Sequence, residues 1–360
     1  MNGRIYNFAA GPSILADEVL REIEQEIINY RGCGMSVMEM SHRSAMYMNI
    51  FNETKASLKR LMDVPDDYEI LFIQGGATMQ FSAVPLNLMK NGKADYVVTG
   101  NFAGKAAQEA AKYGEVHIAY DGKENNYTEI PKQEELQLSK DASYVHICAN
   151  NTIYGTEWKK YPDTGSIPLV ADMSSDILSK PVKVSDFGLI YAGAQKNMGI
   201  AGLAVVIIRK DLLMYHRDNI PVLLAYDTSA KNDSMYNTPP TYSIYVLGKV
   251  SKWLENMGGL RVIEERNREK AALLYDYLDG SSFYISHAEK SARSLMNITF
   301  TTPDPELDSK FVKEAAAAGL VNLKGHRVVG GLRASIYNAM SYEGVKALVE
   351  FMKYFEQENR

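Results

Sequence analysis

The sequence predicts an α/β protein, with a mostly parallel sheet covered by helices over the first two thirds and a smaller C-terminal α+β unit. Three observations carry this reading. Short apolar runs at 68–73, 95–99, 143–148, 168–172, 187–191 and 202–209 alternate with segments of helical periodicity. Most of those runs are apolar on both faces, as strands between two helical layers must be. After Gly258-Gly259 the pattern changes to a long helix, a strand, a helix, two strands and a helix.

Taken in order, the chain opens with a short arm containing Gly11-Pro12, then a helical pattern from about Ala16 to Tyr30. Arg31-Gly-Cys-Gly34 breaks it, and a second helix is expected from about Ala45 to Met62, stopped by Asp63 and Pro65. The 68–73 strand runs into Gln74-Gly-Gly-Ala-Thr78 and a helix to about Met89. Next come the 95–99 strand, Gly100-Asn-Phe-Ala-Gly104 as a loop, and a helix from Lys105 to Tyr113. Residues 210–217, with His216-Arg217, read as a solvated helix, and 218–244 as irregular. Helices are expected at 245–256, 260–278, 305–318 and 343–359, with a strand at 296–301. The expected division is an arm at 1–15, a large unit at 16–259 and a small unit at 260–360.

Composition narrows the function. Charged residues make up 23% of the 360 and the net charge is -5, with no Lys/Arg-rich block, so nucleic acid and anionic membranes are poor partners. Cations must be gathered locally if the ligand is an anion. Cys33 and Cys148 cannot form a disulfide framework and lack zinc-site spacing. No stretch reaches transmembrane length and no basic-then-apolar leader pattern is present; the expected location is the cytoplasm.

The polar candidates all follow strand ends, where open α/β sheets bind ligands. Lys196 stands on a Gly-rich loop between two apolar runs, and Asp172 ends a third. An isolated lysine in such a place can simply snorkel. An acid at an adjacent strand end adds a second requirement of pyridoxal 5'-phosphate: an amine for the Schiff base and a carboxylate to keep the pyridine nitrogen protonated. The Gln74-Gly-Gly-Ala-Thr78 turn suits either a plain βα turn with Thr78 as N-cap or an anion site. Phe102, after a strand end, suits either core packing or stacking on a planar ring. Thr152 sits on another strand-end loop. His42-Arg43 precedes a helix, where either a solvated pair or an anion contact fits. Arg333, inside an apolar strand, needs an anionic partner, and His326-Arg327 stands in the loop before it.

With these residues assembled, the sequence resembles the phosphoserine aminotransferases, pyridoxal-phosphate enzymes of fold type I, class V. The resemblance runs through Asn7-Phe-Ala-Ala-Gly-Pro12, Ser36-Val-Met-Glu-Met-Ser-His-Arg43, Ala171-Asp-Met-Ser-Ser175, Tyr191-Ala-Gly-Ala-Gln-Lys-Asn197 and Tyr236-Asn-Thr-Pro-Pro240. Its most specific stretch is Gly325-His-Arg-Val-Val-Gly-Gly-Leu-Arg-Ala-Ser-Ile-Tyr-Asn338. It implies a large cofactor-binding domain on a seven-stranded sheet and a small C-terminal domain. The resemblance implies that Lys196 carries the cofactor, Asp172 pairs with its ring nitrogen, and Ala77, Thr78 and Gln195 hold its phosphate. Phe102 would stack on the ring, where many members have Trp, and Thr152 would contact the ring hydroxyl side. Asn237 and Thr238 would reach the phosphate of a neighbouring subunit's cofactor, which implies a homodimer. Arg333 would take the substrate α-carboxylate. His42 and Arg43, with His326 and Arg327 from the partner, would take the distal anion. The implied reaction exchanges an amino group between glutamate and 3-phosphohydroxypyruvate, giving 2-oxoglutarate and phosphoserine, with phosphohydroxythreonine as a possible second substrate. The rival readings are a lyase or desulfurase on the same fold, and a non-enzymatic anion-binding protein.

Overall fold

The computed structural model describes residues 3–360. Seven strands form the large sheet: β1 (Tyr68–Gln74), β2 (Lys93–Val98), β3 (Glu115–Asp121), β4 (Val145–Cys148), β5 (Leu169–Asp172), β6 (Leu189–Gly193) and β7 (Leu203–Arg209). Their spatial order is β1-β7-β6-β5-β4-β2-β3. Only β7 runs against the others, pairing antiparallel with both β1 and β6. The sequence places β6 and β7 one short turn apart, and a turn that short can join only antiparallel neighbours. That turn carries Lys196.

Helices cover both faces: α1 (Asp17–Glu26), α2 (Ala45–Leu61), α3 (Ala77–Leu88), α4 (Asn101–Ala110), α5 (Tyr226–Lys231) and α6 (Thr241–Asn256). One face packs Phe72, Ile147, Ala171 and Val205 against α1, α2 and α6; the other packs Leu71, Val170, Tyr191 and Val206 against α3, α4 and α5. The alternation of these residues along each strand is the period-2 pattern of a strand buried on both sides.

Helix α7 (Leu260–Gly280) begins in the first of these cores, through Leu260 and Ile263, and ends in a separate one with Ala271, Leu274 and Leu278. This third core also holds strands β8 (Ile285–Ser286), β9 (Asn297–Thr301) and β10 (Leu332–Ser335), with α8 (Pro305–Ala317) and α9 (Tyr342–Asn359). The arm belongs to it as well. Phe8 and Ile14 are buried there, and Tyr6–Asn7 pairs in parallel with Leu320–Val321.

The two units meet through close backbone approach. Gly155, at φ +75°, presses the 150–157 hairpin onto β9; a Cβ there would come within 2.7 Å of Thr299 Oγ1 and 2.8 Å of the Asn297 carbonyl. Asn150 then donates to Ser175 and to Asn297, each at 2.8 Å, crossing from the large sheet to the small one.

Several elements differ from the sequence expectation. Strand β3 was missed because it is an edge strand whose residues are mostly half-exposed, leaving little apolar signal. The 218–244 stretch contains α5, and α6 starts at Thr241 rather than 245. Residues 210–214 form a short 3-10 turn, and His216-Arg217 lies beyond it outside any helix. Arg217 instead fastens the loop, with its N–H on the Leu86 carbonyl at 3.2 Å and its guanidinium on the Tyr113 carbonyl.

Lys270 on α7 is an unexpected anchor. Only 3% exposed, it donates to the carbonyls of Ile336, Tyr337 and Met340 at 3.1, 2.8 and 3.0 Å, which uses all three of its hydrogens. Those carbonyls lie just beyond β10, so Lys270 fixes the chain that carries Arg333 and starts α9. Lys270→Met keeps the stem but strands three buried acceptors, and is expected to cost about 2–4 kcal/mol, read as a lowered denaturant midpoint.

Candidate active site

The site forms where β1, β2, β4, β5 and β6 end. A single cavity is lined by Ala77, Thr78, Phe102, Thr152, Asp172, Gln195 and Lys196, which brings together seven of the nine expected cofactor residues. The Lys196 amine donates to Thr152 Oγ1 at 2.6 Å and lies 5.3 Å over the Phe102 ring centroid. Burial lowers its pKa from the ordinary lysine value, with Asp172 pulling the other way. Asp172 is buried, and burial raises its pKa despite two hydrogen bonds to Oδ1, from Ser174 N–H at 2.9 Å and Ser174 Oγ at 2.6 Å. No partner takes up Oδ2 among these bonds.

The backbone shapes the rest. Gly76 is the N-cap of α3, so Ala77 and Thr78 occupy its first turn with free N–H groups pointing into the site; Thr78 is not the cap. Gly193 leaves room for Gln195, since a Cβ there would lie 2.7 Å from Gln195 Oε1 and 3.4 Å from the Ala77 nitrogen. Phe102 sits in the first turn of α4 rather than in a loop, because Gly100 caps the helix and starts it earlier than expected.

The arm secures the lysine turn from outside. Gly11 lies at φ +145°, and a Cβ would approach Lys196 Cγ at 3.1 Å. Ser13 donates through its N–H to the Gln195 carbonyl at 3.0 Å and through its hydroxyl to the Lys196 carbonyl. Sequence reasoning treated the arm only as a turn and did not single out Ser13 or Ser174. The signal for Ser174 was its place two residues after a strand-end acid, the spacing of a local Asx turn.

Arg333 enters from β10. Its Nη1 donates to the Thr152 carbonyl at 3.2 Å, so Thr152 touches the lysine with its hydroxyl and the arginine with its backbone. The Arg333 Nε is buried without a hydrogen-bond partner. Among the described residues, no carboxylate pairs with Arg43, Arg327 or Arg333. Arg333, with its Nε buried and unbonded beside the cavity, is the one of the three whose surroundings call for an anion.

The remaining candidates fall into two groups outside the cavity. His326 lies within the fields of Arg333, Arg327 and Lys105 of its own chain, which lower its pKa after desolvation. The 325–331 loop closes on itself through Gly325 N–H to the Gly331 carbonyl at 2.8 Å and leads straight into β10. Within this chain His326-Arg327 therefore stands on the loop that leads to Arg333 and does not line the cavity. His42-Arg43 lies elsewhere, just before α2, and His42 Nε2 is buried without a partner. Tyr47 of α2 donates to the Thr241 carbonyl at 3.3 Å, which sets the start of α2 beside the 237–240 segment. Asn237 is held by Gln74 Oε1 at 3.3 Å, and Thr238 is exposed.

The geometry fits pyridoxal phosphate. An enclosed amine, a buried carboxylate with one oxygen unbonded, an aromatic ring beside the amine and a helix N-terminus are the donors and surfaces that the group requires. Gly76 has no atom within 4 Å of where a Cβ would stand, so the space before α3 is open.

Comparison with known proteins defines the class. The model of the class-V aminotransferases matches residues 5–348, and the chain belongs to that family. The phosphoserine aminotransferase of Lysinibacillus sphaericus is 53% identical, with all of both chains covered, and that of Pseudomonas aeruginosa 52%, again over both full lengths. Among solved structures, phosphoserine aminotransferase from Bacillus circulans subsp. alkalophilus superposes with a TM-score of 0.97 at 49% identity, covering 99% of each chain. The pyridoxal-phosphate-bound enzyme from Trichomonas vaginalis gives 0.94 at 40%, covering 97% of this chain and 100% of that one.

Asp176, in the turn after β5, is a second buried acid. Burial raises it to about 8 against the pull of Lys180, while Glu157 and Asp172 push the same way as burial. The folded chain thus keeps a proton that the unfolded chain releases near pH 3.8, so this contribution to stability is present in acid and lost as pH rises towards about 8. Asp176→Asn is expected to flatten the fall in stability between those limits, measured by denaturant unfolding of both proteins across that range.

Proposed function

We propose that the chain is a phosphoserine aminotransferase that uses pyridoxal phosphate on Lys196 to move an amino group between glutamate and 3-phosphohydroxypyruvate. The observation that carries this reading is the enclosed Lys196 amine, set between Thr152, Phe102 and Asp172, with the unpaired Arg333 joined to the same Thr152. Full-length identity above 50% to named phosphoserine aminotransferases supports it.

Bound through its aldehyde to Lys196, pyridoxal phosphate supplies an electron sink for the pair released when the α-C–H bond of an amino acid breaks. The chain's own residues supply the rest. Asp172, with Oδ1 fixed by Ser174, offers its other oxygen to hold a proton on the ring nitrogen. Ala77 and Thr78 offer N–H groups, and Gln195 its amide, to the cofactor phosphate. Arg333 grips the α-carboxylate of either amino acid or oxo acid, which turns the α-hydrogen towards Lys196. Once an incoming amino group has displaced it, the Lys196 amine is favoured in its neutral form by burial and can take the α-proton and deliver it again. Thr152 steadies that amine through its hydroxyl.

The distal end of the substrate is a carboxylate in glutamate and a phosphate in phosphoserine. Arginine accepts both, and the two His-Arg pairs suit this task. Neither pair lines the cavity, nor does Asn237-Thr238, although Asn237 is held by Gln74 at the end of β1. A homodimer would bring Asn237 and Thr238 to the phosphate of the partner's cofactor and join His42-Arg43 of one chain to His326-Arg327 of the other at the distal anion. Exposed Met35, Met38, Met46 and Tyr236 around the same segments supply the apolar area such a contact needs.

A desulfurase reading lacks a reactive thiolate. Cys148 lines the cavity, but burial pushes its pKa well up and its thiol is turned to the Asn150 carbonyl, and Cys33 bonds the Met35 carbonyl away from the cavity. Lys196→Ala is expected to abolish both turnover with phosphoserine and the cofactor absorbance near the visible edge; retention of both would refute the assignment. Arg333→Ala is expected to lower kcat/KM for both amino acids by roughly 30- to 1000-fold, the loss of about 2–4 kcal/mol from a paired charge, while cofactor content stays near wild type.

A further inference from the structure

Behind Asp172, starting at the cavity wall formed by Cys148 and Phe81, the sheet carries a row of side chains that none of the roles above uses. Asp172 and Tyr191 are direct register partners on β5 and β6. Cys148 partners Asp172 on β4, and His146 stands two residues earlier on that strand, so it projects from the same face. Tyr96 on β2 partners His146. The side chains meet as this register requires: His146 Nε2 lies 2.9 Å from the Tyr191 hydroxyl, and the Tyr96 ring stacks on the imidazole at 4.8 Å and 22°. Phe81 of α3 closes the other side, edge-on to Tyr191 at 6.4 Å. His146 is 2% exposed and Tyr191 fully buried, so water does not compete for these hydrogens.

The direction of the chain follows from bookkeeping of hydrogens. Burial pulls His146 down to about 3, so the ring is neutral and carries one N–H. Its Nδ1 is buried without a partner. A proton on Nδ1 would be a buried donor with nothing to donate to, the costlier of the two orphans, so the proton belongs on Nε2. Nε2 then donates to the Tyr191 oxygen, and the Tyr191 hydrogen is left for a further acceptor. The acceptor beside it in the register is Asp172, whose carboxylate form is favoured by Ser174, by Lys196 and, more weakly, by Tyr191.

We infer that His146 and Tyr191 are positioning residues, a relay that aims a hydroxyl hydrogen at Asp172 and so keeps that carboxylate charged and oriented towards the cofactor's ring nitrogen. The inference rests on the placement of that nitrogen against Asp172. Neither residue touches substrate or cofactor. Without the relay, only Ser174 and the charge of Lys196 oppose the burial of Asp172, the acid moves towards its neutral form, and the counter-charge on the ring nitrogen is weakened.

The test reconstitutes cofactor-free protein with pyridoxal phosphate labelled at the ring nitrogen, and reads the dissociation constant and the nitrogen NMR shift, which separates protonated from unprotonated rings. Tyr191→Phe, which removes one oxygen, is expected to weaken cofactor binding about tenfold, as loss of an outer hydrogen bond to a cofactor-binding acid does, and to move the shift towards the unprotonated ring. His146→Leu should do the same. His146→Gln, which offers an N–H near the place of Nε2, should recover binding to within about threefold of wild type. Tyr144→Phe removes a hydroxyl bonded to Tyr96 in the same core, outside the relay, and should leave affinity and shift unchanged. Wild-type affinity and shift in both Tyr191→Phe and His146→Leu would overturn the relay. So would a fall in thermal stability of the cofactor-free His146→Leu protein without any change of shift in Tyr191→Phe, which assigns packing alone. Asp172→Asn separates the two levels: if it too leaves the shift unchanged, the ring nitrogen does not face Asp172 and the placement itself fails.

Discussion

The structure depends on keeping two opposite charges, Asp172 and Lys196, under cover at the ends of neighbouring strands. Burial acts against both, raising the acid and lowering the amine, while each partly restores the other. Such a pair is poor value as a source of stability, since desolvation offsets most of the attraction. Its use is chemical. In the proposed reaction, an amine whose pKa burial lowers and an acid held for a ring nitrogen are both more reactive than they would be in water. The sheet can carry this burden because its strands are apolar on both faces and covered by helices throughout.

Thr152 shows how one residue couples the two structural units. Its hydroxyl receives the lysine and its carbonyl receives Arg333, so movement of β10 changes the setting of the amine. Around it, Asn150, Ser175, Asn297, Ser294 and Ser335 form a continuous hydrogen-bonded seam between the sheets. The arm adds a third support, with Ser13 on the lysine turn and Tyr337 donating to the Ala10 carbonyl. Arm, large sheet and small sheet thus converge on a few ångströms of backbone around Lys196. This convergence is also why Lys270 matters at a distance: it fixes the exit of the strand that delivers Arg333.

Cations are distributed with equal economy. The chain is acidic overall, yet the arginines proposed to meet substrate have no carboxylate of their own. Leaving Arg333 unpaired costs stability in the free protein, since its Nε is buried, whereas Arg43 and Arg327 are exposed; all three keep their attraction for a bound anion. His326-Arg327 precedes Arg333 on a shared loop and strand, His42-Arg43 precedes α2, and neither pair lines the cavity of its own chain. That separation is the physical basis for proposing that a second copy completes the site.

The sequence alone determined the α/β class and singled out Lys196 and Asp172, which the fold brings into one buried cavity at the strand ends, because these follow from local rules: apolar runs of strand length, Gly-rich turns after them, and residue types with few other reasons to be there. It also made Arg333 legible, since an arginine in an apolar strand has an unmet need. Tertiary structure decided the rest. Strand β3 escaped notice because an edge strand needs little apolar surface, and Phe102 fell into a helix because Gly100 starts α4 early. The arm's grip on Lys196 and the register that sets His146 against Tyr191 and Tyr191 beside Asp172 are long-range facts. They depend on which strands become neighbours and in what register, and a chain read one residue at a time does not contain that information locally.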